Sequence, residues 1–244
     1  MSAYDYIDTA RAGLLSDLDN QIEGGWAAKP AAGIEFGYPV FGYVGDKVSA
    51  YTYFGNDVSK LVFDADFVAS NSIVITVNTV SAGAVVYATS HDNTMDLVLA
   101  ALNAMTGVEA VLDATDTDNR TFFILTKGVT CVVTEAVTGG ASQPDGTITQ
   151  ESGQVYLGMA VMTQNSAGLY EQYDAVNVLV KGKVWAQCST AAAANMLAYV
   201  GAAGKMANSG GATTAKFRSD LAAAGLVLVE TNGQVVLGSA ALFA

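Results

Sequence analysis

The sequence predicts a mainly β protein: an antiparallel sandwich or barrel, jelly-roll-like, with an N-terminal helical arm and a small inserted α+β domain. Three observations carry this. Short apolar runs punctuated by glycine recur from Gly33 onward, as in "IEFGYPVF", "GQVYLGMAVMT" and "GLVLVETNGQVVLG". Helical periodicity appears in two places and does not alternate with the strands, which argues against a parallel βαβ sheet. One of these two stretches lies inside a strand-rich block, and the segments on either side of that block share one β style.

From Ser2 to Glu23, Ile7, Ala10, Leu14, Leu18 and Ile22 recur at three- and four-residue steps, and Gly24-Gly25 follows. This spacing predicts an amphipathic helix. "WAAKPAAG" then reads as an extended connector in which Trp26 plugs into a core or a neighbour. Residues 1–32 form the arm. A lone amphipathic helix gains most of its stability from packing, so the arm is expected to touch another subunit.

Residues 33–66 and 144–244 form the expected β domain. "IEFGYPVF" and "KVSAYTYFG" read as strands, with Gly37 and Pro39 suited to an edge or a bulge. "DAVNVLVKGKVWAQC" reads as strand, Lys181-Gly182-Lys183 turn and strand. "NMLAYVGAAGKM" reads as a strand and glycine turn, and Thr231-Asn232-Gly233 as a hairpin. Between them, residues 67–143 read as a ββαβββ insertion. "NSIVITVNTV" and "AGAVVYATS" precede a helix capped by Asp92 or Asn93, and "VEAVLDA", "RTFFILT" and "VTCVVTEAV" follow it. Met95, Val98, Leu99, Leu102 and Met105 supply the helix stripe.

Hydrophobic residues make up 51% of the 244 and charged residues 14%, which suits a packed chain rather than a disordered one. The net charge of −12 repels phosphate backbones, so nucleic acid is not an expected partner. The same charge suggests a solubility device or a partner surface that is basic or polar. No apolar run reaches the roughly 18 residues that span a bilayer, and "MSAYDYIDTARAGLL" is acidic where a signal peptide would be basic. The expectation is assembly in a cytoplasm and no membrane partner.

No stretch gathers the residues that catalysis or metal binding requires. His91 is the sole histidine; Ser90 and Asp92 adjoin it, but sequence neighbours rarely adopt triad geometry and no GxSxG elbow occurs. Asp113, Asp116 and Asp118 lack the spacing of a calcium loop. Cys131 and Cys188 stand apart in apolar runs, as buried thiols do. Phosphate loops are missing, and "VTGGASQPDG" has no adjacent lysine. The reading is non-enzymatic, with no cofactor and no metal.

The ordered landmarks Phe36, Gly37 and Val40, then Gly168, Tyr170, Val176, Val178, Gly182, Val184 and Trp185, resemble those of tailed-phage capsid cement (decoration) proteins. The middle block departs from short cement proteins. From Asn78 to Ser142 it is similar to a small accessory module of phage structural proteins. The resemblance implies a virion protein on the outer capsid surface, assembled in the host cytoplasm, that binds the major capsid protein and forms a homodimer or homotrimer. Ile7, Leu14, Leu18, Trp26, Phe36, Gly37, Tyr38, Tyr170 and Trp185 are the expected capsid or subunit contacts, and the inserted module would point outward. The alternative is a tail or head-fibre protein whose aromatics, such as Tyr51, Tyr53 and Tyr173, bind carbohydrate.

Overall fold

β-branched and aromatic runs separated by glycine give many brief strands rather than a few long ones. The computed structural model describes residues 11–16, 20–44, 46–53, 55–140, 142–162, 168–201, 204–236 and 243. In chain order the strands are β1 (Gln21–Ala28), β2 (Ile34–Glu35), β3 (Pro39–Tyr43), β4 (Ser49–Ala50), β5 (Val58–Phe63), β6 (Ser72–Val77) and β7 (Val80–Val86). The helix α1 (His91–Asn103) follows, then β8 (Val108–Leu112), β9 (Thr121–Thr126), β10 (Val133–Thr138), β11 (Gly146–Glu151) and β12 (Gln154–Ala160). The rest are β13 (Leu169–Tyr170), β14 (Ala175–Cys188), β15 (Leu197–Val200), β16 (Met206–Ala207), β17 (Gly211–Phe217), β18 (Gly225–Asn232) and β19 (Val235–Val236). The protein is mainly β, as its sequence predicts, and α1 is the one helix among the described residues. No described helix is long and apolar enough to cross a membrane. The described residues fall into two compact units, one drawn from Met1–Tyr53 and Gln154–Leu237, the other from Phe54–Gly153 and Gly238–Ala244.

The first unit is organised around β14. Its alternate residues Val176, Val178, Val184, Ala186 and Cys188 are buried, which leaves Lys181, Lys183, Trp185 and Gln187 to the opposite face. On one edge β14 pairs with β18, in unbroken register from Lys181↔Asn232 to Cys188↔Gly225. On the other it pairs with β1. The sheet runs β16-β15-β17-β18-β14-β1-β4, with β12 joined to β14 and carrying β3 and β19. Phe41, Tyr156, Met159, Leu179, Val184, Phe217, Val227 and Val229 form its core, each fully buried.

Four local expectations for this unit are corrected. The Ser2–Glu23 helix fails wherever residues are described: Leu15 bridges Val184 in antiparallel fashion, and Gln21–Ala28 is β1. Residues 1–10 and 17–19 of that stretch lie outside the described residues. The diglycine read as a helix stop is a bulge, since the β1–β14 register shifts between Glu23 and Trp26 and Gly25 has φ +94°. Pairing with the long strand outweighs an apolar spacing that leaves Ile22 44% exposed. Lys181-Gly182-Lys183 makes no turn, because β18 pairs straight across it. Thr231-Asn232-Gly233 closes no hairpin either: β19 pairs with β12.

The second unit has two sheets, β10-β6-β7 and β11-β5-β9-β8. Ser90 caps α1, its Oγ accepting from the Asn93 N–H at 3.2 Å, so the helix begins slightly before the expected cap residues Asp92 and Asn93. Met95, Val98 and Leu102 are buried, with Leu99 and Met105 packed partly against the same core of Leu61, Phe63, Phe67, Ile73, Ile75, Phe122 and Ile124. Near its two chain ends, the Asp57 carboxylate accepts from the Gly153 N–H at 2.9 Å. Strands β5 and β11, which flank residues 67–143 in the sequence, pair with each other, and β5 also pairs with β9.

Candidate functional site

Trp26 apart, the predicted contact residues divide into three groups. Ile7 and Leu18 lie outside the described residues. Phe36, Gly37, Tyr38 and Tyr170 face inward. The Phe36 and Tyr170 rings meet edge to face with centroids 5.1 Å apart, and both are about 5% exposed. The Tyr170 hydroxyl donates to the Val161 carbonyl at 2.6 Å and accepts from the Asn177 N–H at 3.2 Å. Burial, followed by the neighbouring Glu35, pushes the Tyr38 phenol up to about 12. These residues fix the β domain's interior and offer a partner little side-chain surface.

Gly37 shows why that interior demands its residue type. Its φ is +74°, and a Cβ there would lie 2.7 Å from both the Gly13 nitrogen and the Trp185 carbonyl oxygen. Those two backbone groups are themselves hydrogen-bonded at 2.7 Å. The glycine therefore lets the N-terminal segment close against β14.

The third group, Leu14 and Trp185, is brought together on an outer face. The Trp185 N–H donates to the Leu14 carbonyl at 2.9 Å, and the Ser16 N–H to the Lys183 carbonyl at 3.1 Å. Because Leu15 packs on the core and bridges buried Val184, Leu14 and Trp185 both fall on the opposite side. They are half-buried. The β14–β18 register sets Leu228 beside Trp185 and Glu230 beside Lys183, and β17 sets Lys216 beside Glu230. Leu197 of β15, 47% exposed, pairs with Lys216 of β17. Arg218, just after β17, donates from its guanidinium to Glu230 and to Asn195 Oδ1. The result is a strip of Leu14, Trp185 and Leu228 edged by Lys181, Lys183, Lys216 and Arg218.

Leu228, Glu230 and the four basic residues escaped sequence reasoning. Reading Lys181-Gly182-Lys183 as a turn hid the register that aligns them. The signal was present in the period-two pattern running from Val176 to Cys188. Trp26 lies apart from the strip along β1, half-buried beside a groove of about 540 Å³ shared with Glu23, Gly24, Lys47 and Gln234.

The groups weighed for chemistry have structural partners. His91 Nδ1 accepts from the Phe67 N–H at 3.0 Å, and Nε2 donates to the Asn119 carbonyl at 3.3 Å. The ring stacks on Phe67. Asp113 caps its own turn through the Thr115 hydroxyl and N–H, and these bonds hold its carboxyl below the usual range. Asp116 is held low chiefly by the Thr121 hydroxyl and also accepts from the Asp118 and Arg120 N–H groups. Among the described residues no cluster of His, Cys, Asp and Glu could hold a metal ion.

Residues 113–232 match a phage cement family described as "Structural cement protein (E217 gp24/Pam3 gp6)". The span runs from the end of β8 in the second unit through β18, and takes in Tyr170, Trp185 and the whole β14–β18 pairing. No curated protein matches the chain.

Proposed function

We propose that this chain, whose residues 113–232 match the phage structural cement protein family, binds the outside of a major-capsid shell and stabilises it without catalysing a reaction. The family match carries the reading, and the Leu14–Trp185–Leu228 strip gives it a surface. A half-buried tryptophan flanked by leucines on a sheet face is the composition of an interface centre, and the basic and polar side chains around it form the rim.

Cement action needs only modest affinity per contact. A symmetric oligomer, dimer or trimer, seated where shell subunits meet engages several of them at once, and the second contact benefits from high effective concentration. Co-sedimentation with empty shells of the phage that encodes the chain is the test. The protein should pellet with shells and raise the temperature at which they open; protein left in the supernatant, with density in the tail on electron microscopy, would move it to the tail or fibre reading. In that reading the Trp26 groove is the place for a sugar, with the indole as stacking platform.

A further inference from the structure

Tyr173 stands in the turn that feeds β14, with its backbone in the left-handed region at φ +73°. Among the described residues, the other positive-φ positions that are not glycine hold serine, threonine or asparagine. Tyr173 alone carries a large side chain there, where a Cβ already crowds the backbone. Hydrogen bonds fix the turn. The Tyr173 N–H donates to the Ala28 carbonyl at 2.7 Å, the Ala28 N–H to the Asp174 carbonyl at 2.9 Å, and the Asp174 N–H to the Glu171 carbonyl at 3.0 Å. The Asp174 carboxylate accepts from the Glu171 N–H at 2.9 Å.

Such a position is filled at least cost by glycine or asparagine. The tyrosine returns little to the fold in exchange. It is 70% exposed, the highest value among the large hydrophobic side chains described, and its ring is met only by the Lys29 ammonium, 6.0 Å from the centroid. Burial of the ring against a partner would supply what the fold does not. Because the turn is set before contact, docking the ring orders two side-chain torsions and no backbone.

We propose that Tyr173 is an anchor by which this unit grips a shell subunit, its ring entering an apolar protein pocket whose floor offers a hydrogen-bond partner to the phenol hydroxyl. An apolar body with a polar tip dictates that chemistry. This rests on the shell-binding reading above. Tyr173 lies just before Ala175, the first residue of β14, and Trp185 lies ten residues beyond Ala175. At about 3.3 Å per residue, roughly 33 Å of strand separate them. The two aromatics are therefore separate points of contact, and one copy of the chain can hold two neighbouring shell subunits at once.

The experiment measures binding to empty shells by co-sedimentation, with the denaturation midpoint of each variant recorded alongside. Tyr173→Asn installs the residue type already found at positive φ at Asn78, Asn119 and Asn195. Its midpoint should match or exceed that of wild type while its binding weakens at least about tenfold. Tyr173→Phe keeps the ring without the hydroxyl and should lose less. Val86→Ala trims a side chain of similar exposure, 64%, in the other unit and should bind as wild type does. A Tyr173→Asn variant that binds shells like wild type overturns the anchor and leaves shell binding intact. A midpoint well below wild type also overturns it, because the ring then serves the fold. Binding to a glycan array that Tyr173→Asn abolishes, with shell binding unchanged, gives the ring to a sugar instead. Wild-type protein that binds no shell removes the underlying reading.

Discussion

The two units bury similar kinds of side chain by different means. In the unit of Phe54–Gly153, an amphipathic helix and alternating strands build the core through side chains, with Met95, Leu102, Phe122 and Ile124 fully enclosed, and the close backbone approach of Gly139 to Ser70 lies at an exposed turn outside that core. In the other unit, backbone itself approaches backbone: Gly37 sits against Gly13 and Trp185, and the N-terminal segment pairs with β14 inside that gap. A side-chain core tolerates conservative exchange, because neighbours adjust by rotamer changes. A backbone contact has no such slack. Substitutions of equal size should therefore affect the two units unequally.

The largest contrast concerns where the chain can be cut. Replacing 67–143 with a Gly/Ser linker would leave β5 and β11 without β9, exposing Leu61 and Phe63, which are otherwise 0% and 1% accessible. That deletion should aggregate. Replacing residues 55–153 removes both strands with their core and should leave a soluble, cooperatively folding remainder, as read by circular dichroism and gel filtration.

Next in size is Gly37→Ala. A positive φ costs an alanine about 1–2 kcal/mol, and the 2.7 Å approaches to backbone atoms add to it. A loss of roughly 3–5 kcal/mol is expected in chemical denaturation, confined to the transition of the unit containing β14. A loss under about 1 kcal/mol would show that the N-terminal segment is not held as tightly as its hydrogen bonds imply.

Ser90→Ala removes the cap of α1 and should cost about 1 kcal/mol in the other unit's transition alone. The smallest effect is assigned to Glu135 on β10. Burial pushes its carboxyl above the ordinary range, and its Oε2 has no hydrogen-bond partner among the described residues. A carboxyl raised in the folded state binds more protons there than when unfolded, so stability falls as pH rises from the ordinary carboxyl range through the raised value. Glu135→Gln should flatten that slope and gain a few tenths of a kcal/mol at neutral pH.

Legibility in the sequence followed the same division. Strands β6 to β10 and the buried stripe of α1 were readable because each element carries its own period and its own breaks, such as Asn78-Thr79 with positive φ at both residues. β11 was missed: in "GTITQE" only Ile148 is apolar, and the strand exists because β5 pairs with it. In the other unit the local signals pointed elsewhere. Leu14, Leu18 and Ile22 spell a helix, and Lys181-Gly182-Lys183 spells a turn, yet long-range pairing with β14 overrides the described part of the first and all of the second. Trp185 was found by resemblance, whereas its neighbours Leu228 and Lys216 became visible only with the register.

Each unit also contains one free, buried thiol: Cys188 among the core residues of the β14 sheet, Cys131 beside β9 and β10. The Cys131 sulfhydryl donates to the Ile124 carbonyl at 3.2 Å, and that of Cys188 to the Thr190 carbonyl at 3.3 Å. A thiol-specific alkylating reagent can reach neither until its own unit opens. The protein thus carries two native clocks, distinguishable by peptide mass, that time local unfolding separately in the two halves. On a decorated shell, the clock at Cys188 should slow while the one at Cys131 keeps its free-protein rate.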